Sequence, residues 1–103
     1  MKRPEILQLI ADAIHHVAPG SQTIVYGSEA RGDARPDSDI DLLILLERDK
    51  SLTPKEEFEL RRPLSELEAE TGVAINALVV LRSIWEKLVT PFSIRVNKEG
   101  VVI

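Results

Sequence analysis

Residues 27–42 read GSEARGDARPDSDIDL and carry the most informative pattern in the chain. The segment contains five acidic residues and two arginines, so its local charge is 2 − 5 = −3. Residues 23–26, just before it, are β-branched or aromatic and predict a short strand. At its end begins the apolar run Ile40–Leu46, which predicts a second strand covered on both faces. Gly-Ser therefore ends one predicted strand, and Asp-x-Asp begins the next.

Asp39 and Asp41 lie two positions apart at the entrance of that second strand. A period of two places both carboxylates on one face, with Cα atoms ~7 Å apart, so that the side chains can converge. Two carboxylates drawn to ~4 Å repel by ~1 kcal/mol in water and by ~4 kcal/mol at an effective dielectric near 20. A cation or a proton relieves this repulsion, and for a cation ligation by oxygen alone favours Mg²⁺ or Mn²⁺. The alternative interpretation is a pair of solvated acids at a strand entrance.

Gly27 and Ser28 connect the first predicted strand to a segment able to start a short helix. Glycine permits a tight turn and a close approach of the backbone to a ligand. Two roles fit Ser28: it caps the helix, or its hydroxyl and amide bind a phosphate at the positive helix end. On its own the dipeptide is typical of an ordinary turn. The Asp-x-Asp that follows in the next strand makes the combination much more specific.

The chain around this segment predicts helices that alternate with strands. Pro4 starts an amphipathic helix that ends at Pro19-Gly20. Thr53 and Glu56 have the spacing of a capping box for a helix that runs toward residue 70. A proline in a helix interior costs ~3 kcal/mol, so we expect a kink or a break at Pro63.

The carboxyl-terminal part predicts a third strand over residues 73–81 and a short helix capped by Ser83. Thr90 caps a last helix that ends at Gly100, and residues 101–103 predict a small edge strand. This alternation indicates an α/β (α+β) fold, a sheet with helices packed on it, as a single domain over residues 1–103.

Composition narrows the function classes. A chain of 103 residues is about one domain. The absence of cysteine excludes thiolate metal sites and a cysteine nucleophile. A net charge of −4 disfavours electrostatic binding to duplex DNA over a broad surface. No apolar run approaches the ~20 residues that span a bilayer, so we expect no membrane partner and a cytoplasmic location.

Taken together, Gly-Ser, the spacer and Asp-x-Asp resemble the signature of the DNA polymerase beta-type nucleotidyltransferase superfamily. The fuller form, Gly-Ser-x-Ala-Arg-Gly followed by Ser-Asp-x-Asp-Leu, resembles its small stand-alone branch, the minimal nucleotidyltransferases (MNT). Residues 97–101, Asn-Lys-Glu-Gly-Val, also resemble that branch. The resemblance covers about residues 22–103 and implies the nucleotidyltransferase (polymerase beta-like) fold, with a small mixed β-sheet.

The resemblance also implies a reaction. Gly27 and Ser28 would hold the β- and γ-phosphates of a nucleotide, and Asp39 and Asp41 would be the catalytic ligands of two divalent ions, Mg²⁺ or Mn²⁺. A nucleoside monophosphate, AMP from ATP, would be transferred to a hydroxyl of an acceptor, and pyrophosphate would leave.

Two arginines of the motif are candidates to offset phosphate charge. Arg31 and Arg35 are proposed for this role by their type and position only. For Arg31 the alternative is an ion pair with Glu29 or Asp33.

The chain departs from the family at the third carboxylate, which a later strand usually supplies. The only polar residue of the candidate strand is Asn76. An asparagine can ligate Mg²⁺ through its carbonyl but has no negative charge and cannot act as a base. The alternative interpretation is a strand-end residue hydrogen-bonded to the backbone. Without the acid we expect slow transfer, or metal binding that needs another group.

The resemblance finally implies a partner. MNT proteins often pair with a small all-helical HEPN protein in toxin–antitoxin systems, and such a protein is the expected acceptor. The alternative is a catalytically weak or inactive binding module that neutralises the partner by complex formation. Transfer to a small molecule fits less well, because the chain has no room for an acceptor domain. A homo-oligomer is also compatible with the sequence.

Overall fold

The computed structural model describes residues 3–103, which form five helices and four strands. The elements are, in chain order, α1 (Pro4–Val17), β1 (Gln22–Tyr26), α2 (Gly27–Arg31), β2 (Ile40–Leu46), α3 (Pro54–Thr71), β3 (Ile75–Leu81), α4 (Arg82–Trp85), α5 (Pro91–Glu99) and β4 (Val101–Val102). The strands form a sheet in the order β3-β2-β1-β4. β2 is parallel to β3, whereas β1 is antiparallel to both β2 and β4. The predicted α/β (α+β) fold with a small mixed sheet is confirmed.

β2 is the central element, and both of its faces are buried. On one face its side chains join a core cluster with α1 and α3, to which Ile10 and Leu60 contribute. On the other face Leu43 and Leu45 pack with Trp85 and Val96 from α4 and α5. Full burial of one such side chain contributes ~1.5–3 kcal/mol. The dense apolar run that predicted a doubly covered strand is thereby explained, and the same packing fixes the position of the residues at the strand's entrance.

α3 begins as predicted and is not broken at Pro63. Its capping box is present: the Glu56 amide donates to the Thr53 hydroxyl at 3.2 Å, and the Thr53 amide donates to the Glu56 carboxylate at 3.0 Å. The helix continues through Pro63, because Leu60 and Leu64 on either side of it are buried in the core. Packing of these side chains offsets the loss of one helical hydrogen bond.

Two boundaries in the carboxyl-terminal part differ from the prediction. β3 begins at Ile75, where the pairing with β2 also begins, rather than at residue 73; the Ile75 amide donates to the Glu68 carboxylate at 2.9 Å. The prediction that Ser83 caps a helix is wrong: α4 follows β3 directly, its N-cap is Leu81, and no side chain caps it. The predicted cap at Thr90 is confirmed.

The predicted edge strand is present as β4, whose two residues pair with β1. None of the helices in residues 3–103 is long and apolar enough to cross a membrane.

Candidate functional site

Three polar side chains meet where β2 and β3 begin. Asp41 is the second residue of β2, and Asn76 is its direct partner in the parallel pairing with β3. The Asn76 amide nitrogen donates to the Asp39 carboxylate at 3.1 Å and to the Asp41 carboxylate at 3.2 Å. The expected convergence of the two carboxylates is therefore present. Asn76 lies between them and bonds to their side chains rather than to the backbone.

The amide of Asn76 relieves part of the repulsion between the two carboxylates. The two N–H bonds of one amide group carry the partial positive charge that the pair requires. A divalent cation placed there would replace the amide donors. The amide would then have to turn to offer its carbonyl oxygen, completing a set of oxygen ligands suited to Mg²⁺.

The donor set is smaller than the three carboxylates that the resemblance in sequence implies. Within residues 3–103, no group of three or more His, Cys, Asp or Glu side chains is placed to hold a metal ion. Two carboxylates are nevertheless a usual protein contribution to Mg²⁺ sites, where water and substrate phosphates supply the other ligands. Asp39 and Asp41 fit such a site, and Asn76, which carries no charge, contacts both of them.

Gly27 is the residue that lets the turn after β1 lie against Asp41. Its φ is +73°, in the left-handed region that favours glycine. A Cβ atom added to Gly27 would lie 2.7 Å from the Asp41 carboxylate oxygen Oδ2. The glycine is therefore required twice, once by its backbone conformation and once by the space next to Asp41.

Ser28 lies inside the first turn of α2 and is not its cap. The N-cap of this five-residue helix is Tyr26, and no side chain caps it. Of the two roles that fit Ser28 in the sequence, the capping role is wrong, because the cap position falls at Tyr26 and no side chain makes a cap hydrogen bond. Ser28 is half-buried beside Gly27.

The sequence interpretation missed Glu99, at the end of α5. Its carboxylate accepts a hydrogen bond from the Gly27 amide at 3.0 Å and contacts Arg31 Nη1 at 3.3 Å. Its side chain is 16% exposed, which makes it one of the better-protected acids. The signal that pointed to it was the Glu-Gly pair near the carboxyl terminus, noted only as part of a resemblance.

The two candidate arginines have different positions. Arg31 forms ion pairs with Glu99 and, at 3.4 Å, with Asp33, so the ion-pair alternative is present with Asp33 but not with Glu29. Its pKa is raised above the ordinary value, first by the hydrogen bond to Glu99. Arg35 is exposed and lines a separate recess near the start of α1 and the end of α3. The structure brings Arg31 next to Gly27, but it does not bring Arg35 into contact with the aspartates.

Tyr26 forms the other side of the site. It pairs with Asp41 across β1 and β2, so both side chains lie on the sheet face shared with Asn76. The Tyr26 ring packs edge-on against Phe92, with centroids 5.6 Å apart. Burial raises the pKa of Tyr26, the Asp41 carboxylate raises it further, and Arg95 opposes them. The phenol is therefore kept protonated at neutral pH, as an uncharged neighbour of the carboxylates.

Comparison with known proteins identifies the family. Residues 7–103 match the family model described as "Nucleotidyltransferase domain". No match was found among curated proteins.

Three solved structures share the fold. A toxin–antitoxin crystallised with AMP-PNP gives a TM-score of 0.59 at 19% identity, covering 99% of this chain and 72% of that one. A protein of Sulfolobus solfataricus, proposed to be a nucleotidyltransferase, gives 0.57 at 19% identity, covering 97% and 80%. The toxin–antitoxin MntA–HpeT, with two aspartates changed to glutamate, gives 0.56 at 16% identity, covering 99% and 71%. Identities this low establish similarity of fold alone.

The contact between Gly27 and Asp41 generates a prediction. Replacing Gly27 with alanine should displace the Asp41 carboxylate and lower the affinity for Mn²⁺ by ~10-fold or more. The matched control is Gly32→Ala, because Gly32 has a φ of +83° but nothing within 4 Å of the added Cβ. Both variants should lose ~1–3 kcal/mol of stability to backbone strain. Equal Mn²⁺ affinities in the two variants, measured by electron paramagnetic resonance, would contradict the assigned role of Gly27.

Proposed function

Because the chain belongs to the family of the nucleotidyltransferase domain, we propose that it is a metal-dependent nucleotidyltransferase that moves AMP from ATP to a hydroxyl group. The observation that carries the proposal is the convergence of Asp39 and Asp41 on one point, with Gly27 kept free of a side chain beside them. Such a point suits a divalent ion and a phosphate chain better than it suits a structural salt bridge, since no Lys, Arg or His side chain within residues 3–103 forms an ion pair with either aspartate.

In the proposed reaction the acceptor oxygen attacks the α-phosphorus of ATP. A P–O bond forms to the acceptor, the bond from the α-phosphorus to the bridging oxygen breaks, and pyrophosphate leaves. Asp39 and Asp41 would hold Mg²⁺ or Mn²⁺, which when bound neutralises phosphate charge and polarises the α-phosphate. Asn76 cannot take the acceptor's proton, because a neutral amide is not a base, so in this proposal the hydroxyl proton passes to solvent water as pyrophosphate leaves.

The contact between Glu99 and Gly27 leads us to assign different roles to Gly27 and Ser28. The Gly27 amide already donates to Glu99, and one N–H makes one good hydrogen bond. We therefore assign Gly27 to keeping space beside Asp41, and the hydroxyl and amide of Ser28 to the β- and γ-phosphates. Arg31, which is 47% exposed, is the nearer candidate for offsetting phosphate charge. Arg35 is the more distant candidate.

The acceptor in this proposal is a protein. Two of the structures with this fold are toxin–antitoxin complexes, and one of them was crystallised with AMP-PNP. The MntA–HpeT structure carries changes at two aspartates, as expected if such a pair is important in that protein. By analogy, the chain would act as an antitoxin in the cytoplasm on a small helical HEPN-type partner.

A second candidate function is a binding module that neutralises the partner by complex formation alone. The observation that favours it is Asn76. Its amide donates to both carboxylates, and a neutral amide cannot act as the base that a third carboxylate would provide. In this case the nucleotide site would be a remnant, and the partner would not gain AMP.

The experiment that separates the two functions is AMP transfer measured by intact mass. The chain is incubated with Mg²⁺, ATP and the protein encoded beside it, and the intact mass of each protein is then measured. We expect the partner to gain the mass of AMP. The variant Asp39→Asn/Asp41→Asn should abolish this gain while keeping its fold, because each change is nearly isosteric.

The matched control is Asp37→Asn, which removes an exposed carboxylate from the same loop and should leave the transfer unchanged. A stable complex in which neither protein gains mass would reject the transferase and favour the binding module. Transfer that persists in the double variant would show that the reacting site lies elsewhere.

Asn76 generates a prediction of its own. Asn76→Asp places a third carboxylate within hydrogen-bond reach of two others, which costs ~1 kcal/mol per pair in an exposed site. The metal-free protein should therefore melt several degrees lower, at about 4–8 °C per kcal/mol. Added Mg²⁺ should restore the melting temperature, and the affinity for Mg²⁺ should exceed that of the unaltered chain.

Asn97→Asp is the matched control for this measurement. It adds the same charge on α5, and its oxygen can still accept the hydrogen bond from the Trp85 indole. A melting temperature that responds to Mg²⁺ equally in both variants would contradict the placement of the metal at Asn76.

A further inference from the structure

Arg3, the N-cap residue of α1, forms a buried ion pair with Glu29 of α2. Glu29, the residue after Ser28, has a side chain with 0% exposure, and Arg3 has a side chain with 11%. Arg3 Nε donates to Glu29 Oε1 at 2.6 Å, and the Arg3 backbone amide donates to Glu29 Oε2 at 3.1 Å. Burying these charges is costly unless their geometry and hydrogen bonds are good, so a pair at this place calls for an explanation.

The guanidinium of Arg3 reaches a second element. Its Nη1 donates to the Ser38 carbonyl at 2.7 Å and, more weakly, to the Pro36 carbonyl at 3.4 Å. These carbonyls belong to the loop between α2 and β2. One planar group therefore joins the helix that carries Ser28 to the loop that delivers Asp39.

Asp39 needs such support more than Asp41 does. Asp41 is held by pairing on both sides, with Tyr26 in β1 and with Asn76 in β3. The pairing of β2 begins only at Ile40, so Asp39 lies before the ladder. The Ser38 carbonyl and the Asp39 amide share one planar peptide group. A hydrogen bond that fixes the carbonyl also fixes the orientation of the backbone entering Asp39.

From this geometry we infer that Arg3 and Glu29 are positioning residues that set the orientation of Asp39 toward Asp41. The inference rests on the proposed function in one respect, since Asp39 is taken as a metal ligand. Arg3 and Glu29 do not touch the metal position; they act through the peptide that precedes Asp39. Contacts of this outer kind typically change metal affinity by ~10–100-fold when they are lost.

The test uses Arg3→Lys. Lysine keeps the positive charge facing Glu29, but its donors are concentrated at one nitrogen and cannot span two acceptors as the guanidinium does. The exposed pair of Arg62 and Glu66 offers the matched control, Arg62→Lys. Both proteins are checked for folding by circular dichroism. If Arg3→Lys does not fold, Glu29→Gln, which keeps the shape of the side chain, takes its place.

Two measurements decide the outcome. The first is the chemical shift of the Asp39 backbone amide, without metal. We expect this resonance to shift in Arg3→Lys and to stay unchanged in Arg62→Lys. The second is Mn²⁺ affinity by electron paramagnetic resonance, which should fall ~10-fold in Arg3→Lys alone.

An unchanged Asp39 amide in a folded Arg3→Lys variant would overturn the inference, as would an unchanged Mn²⁺ affinity. If the unaltered chain does not bind Mn²⁺, the proposed function fails instead. The Asp39 amide then still decides whether Arg3 positions that residue.

Discussion

Repulsion between the Asp39 and Asp41 carboxylates is the constraint that organises this structure. Strand β2 is buried on both faces, so Asp41 cannot move away without disrupting the core. The chain relieves the repulsion with the amide of Asn76, which donates to both carboxylates. The cost of two like charges is thereby lowered, and the two carboxylates stay together where β2 and β3 begin. The partial charge of an amide compensates the two carboxylates less fully than a divalent cation would, so the site would still favour a metal ion.

Contacts from the two ends of the chain hold this site in place. Near the beginning, Arg3 links Glu29 in α2 to the carbonyl before Asp39. Near the end, Glu99 accepts from the Gly27 amide and pairs with Arg31. The turn after β1 is therefore fixed from both sides while Gly27 itself remains small enough to lie against Asp41. Arg3 and Glu99, which are distant in sequence, thus support the site of two aspartates that repel each other.

Local patterns were sufficient to predict the strands, the caps at Thr53 and Thr90, and the meeting of Asp39 with Asp41, because periodicity and capping are short-range effects. They failed for a break at Pro63 and for the cap at Ser83, where packing and chain connection outweigh local preference. Asn76 was recognised as the third position, but its bonds to both aspartates depend on strand register. The contact between Arg3 and Glu29 spans 26 positions of sequence, and the contact between Gly27 and Glu99 spans 72 positions. Short-range patterns therefore cannot predict either contact.

The central claim is that the Asn76 amide occupies the position that a divalent cation takes. The most direct test is to follow the Asn76 side-chain NH₂ resonances while Mg²⁺ is added to the unaltered chain. Loss of the two bonds to carboxylates should shift both resonances along a saturable curve, and Asp41→Asn should remove the response. Resonances that stay fixed while Mg²⁺ binds, or a chain that binds no Mg²⁺, would contradict the account.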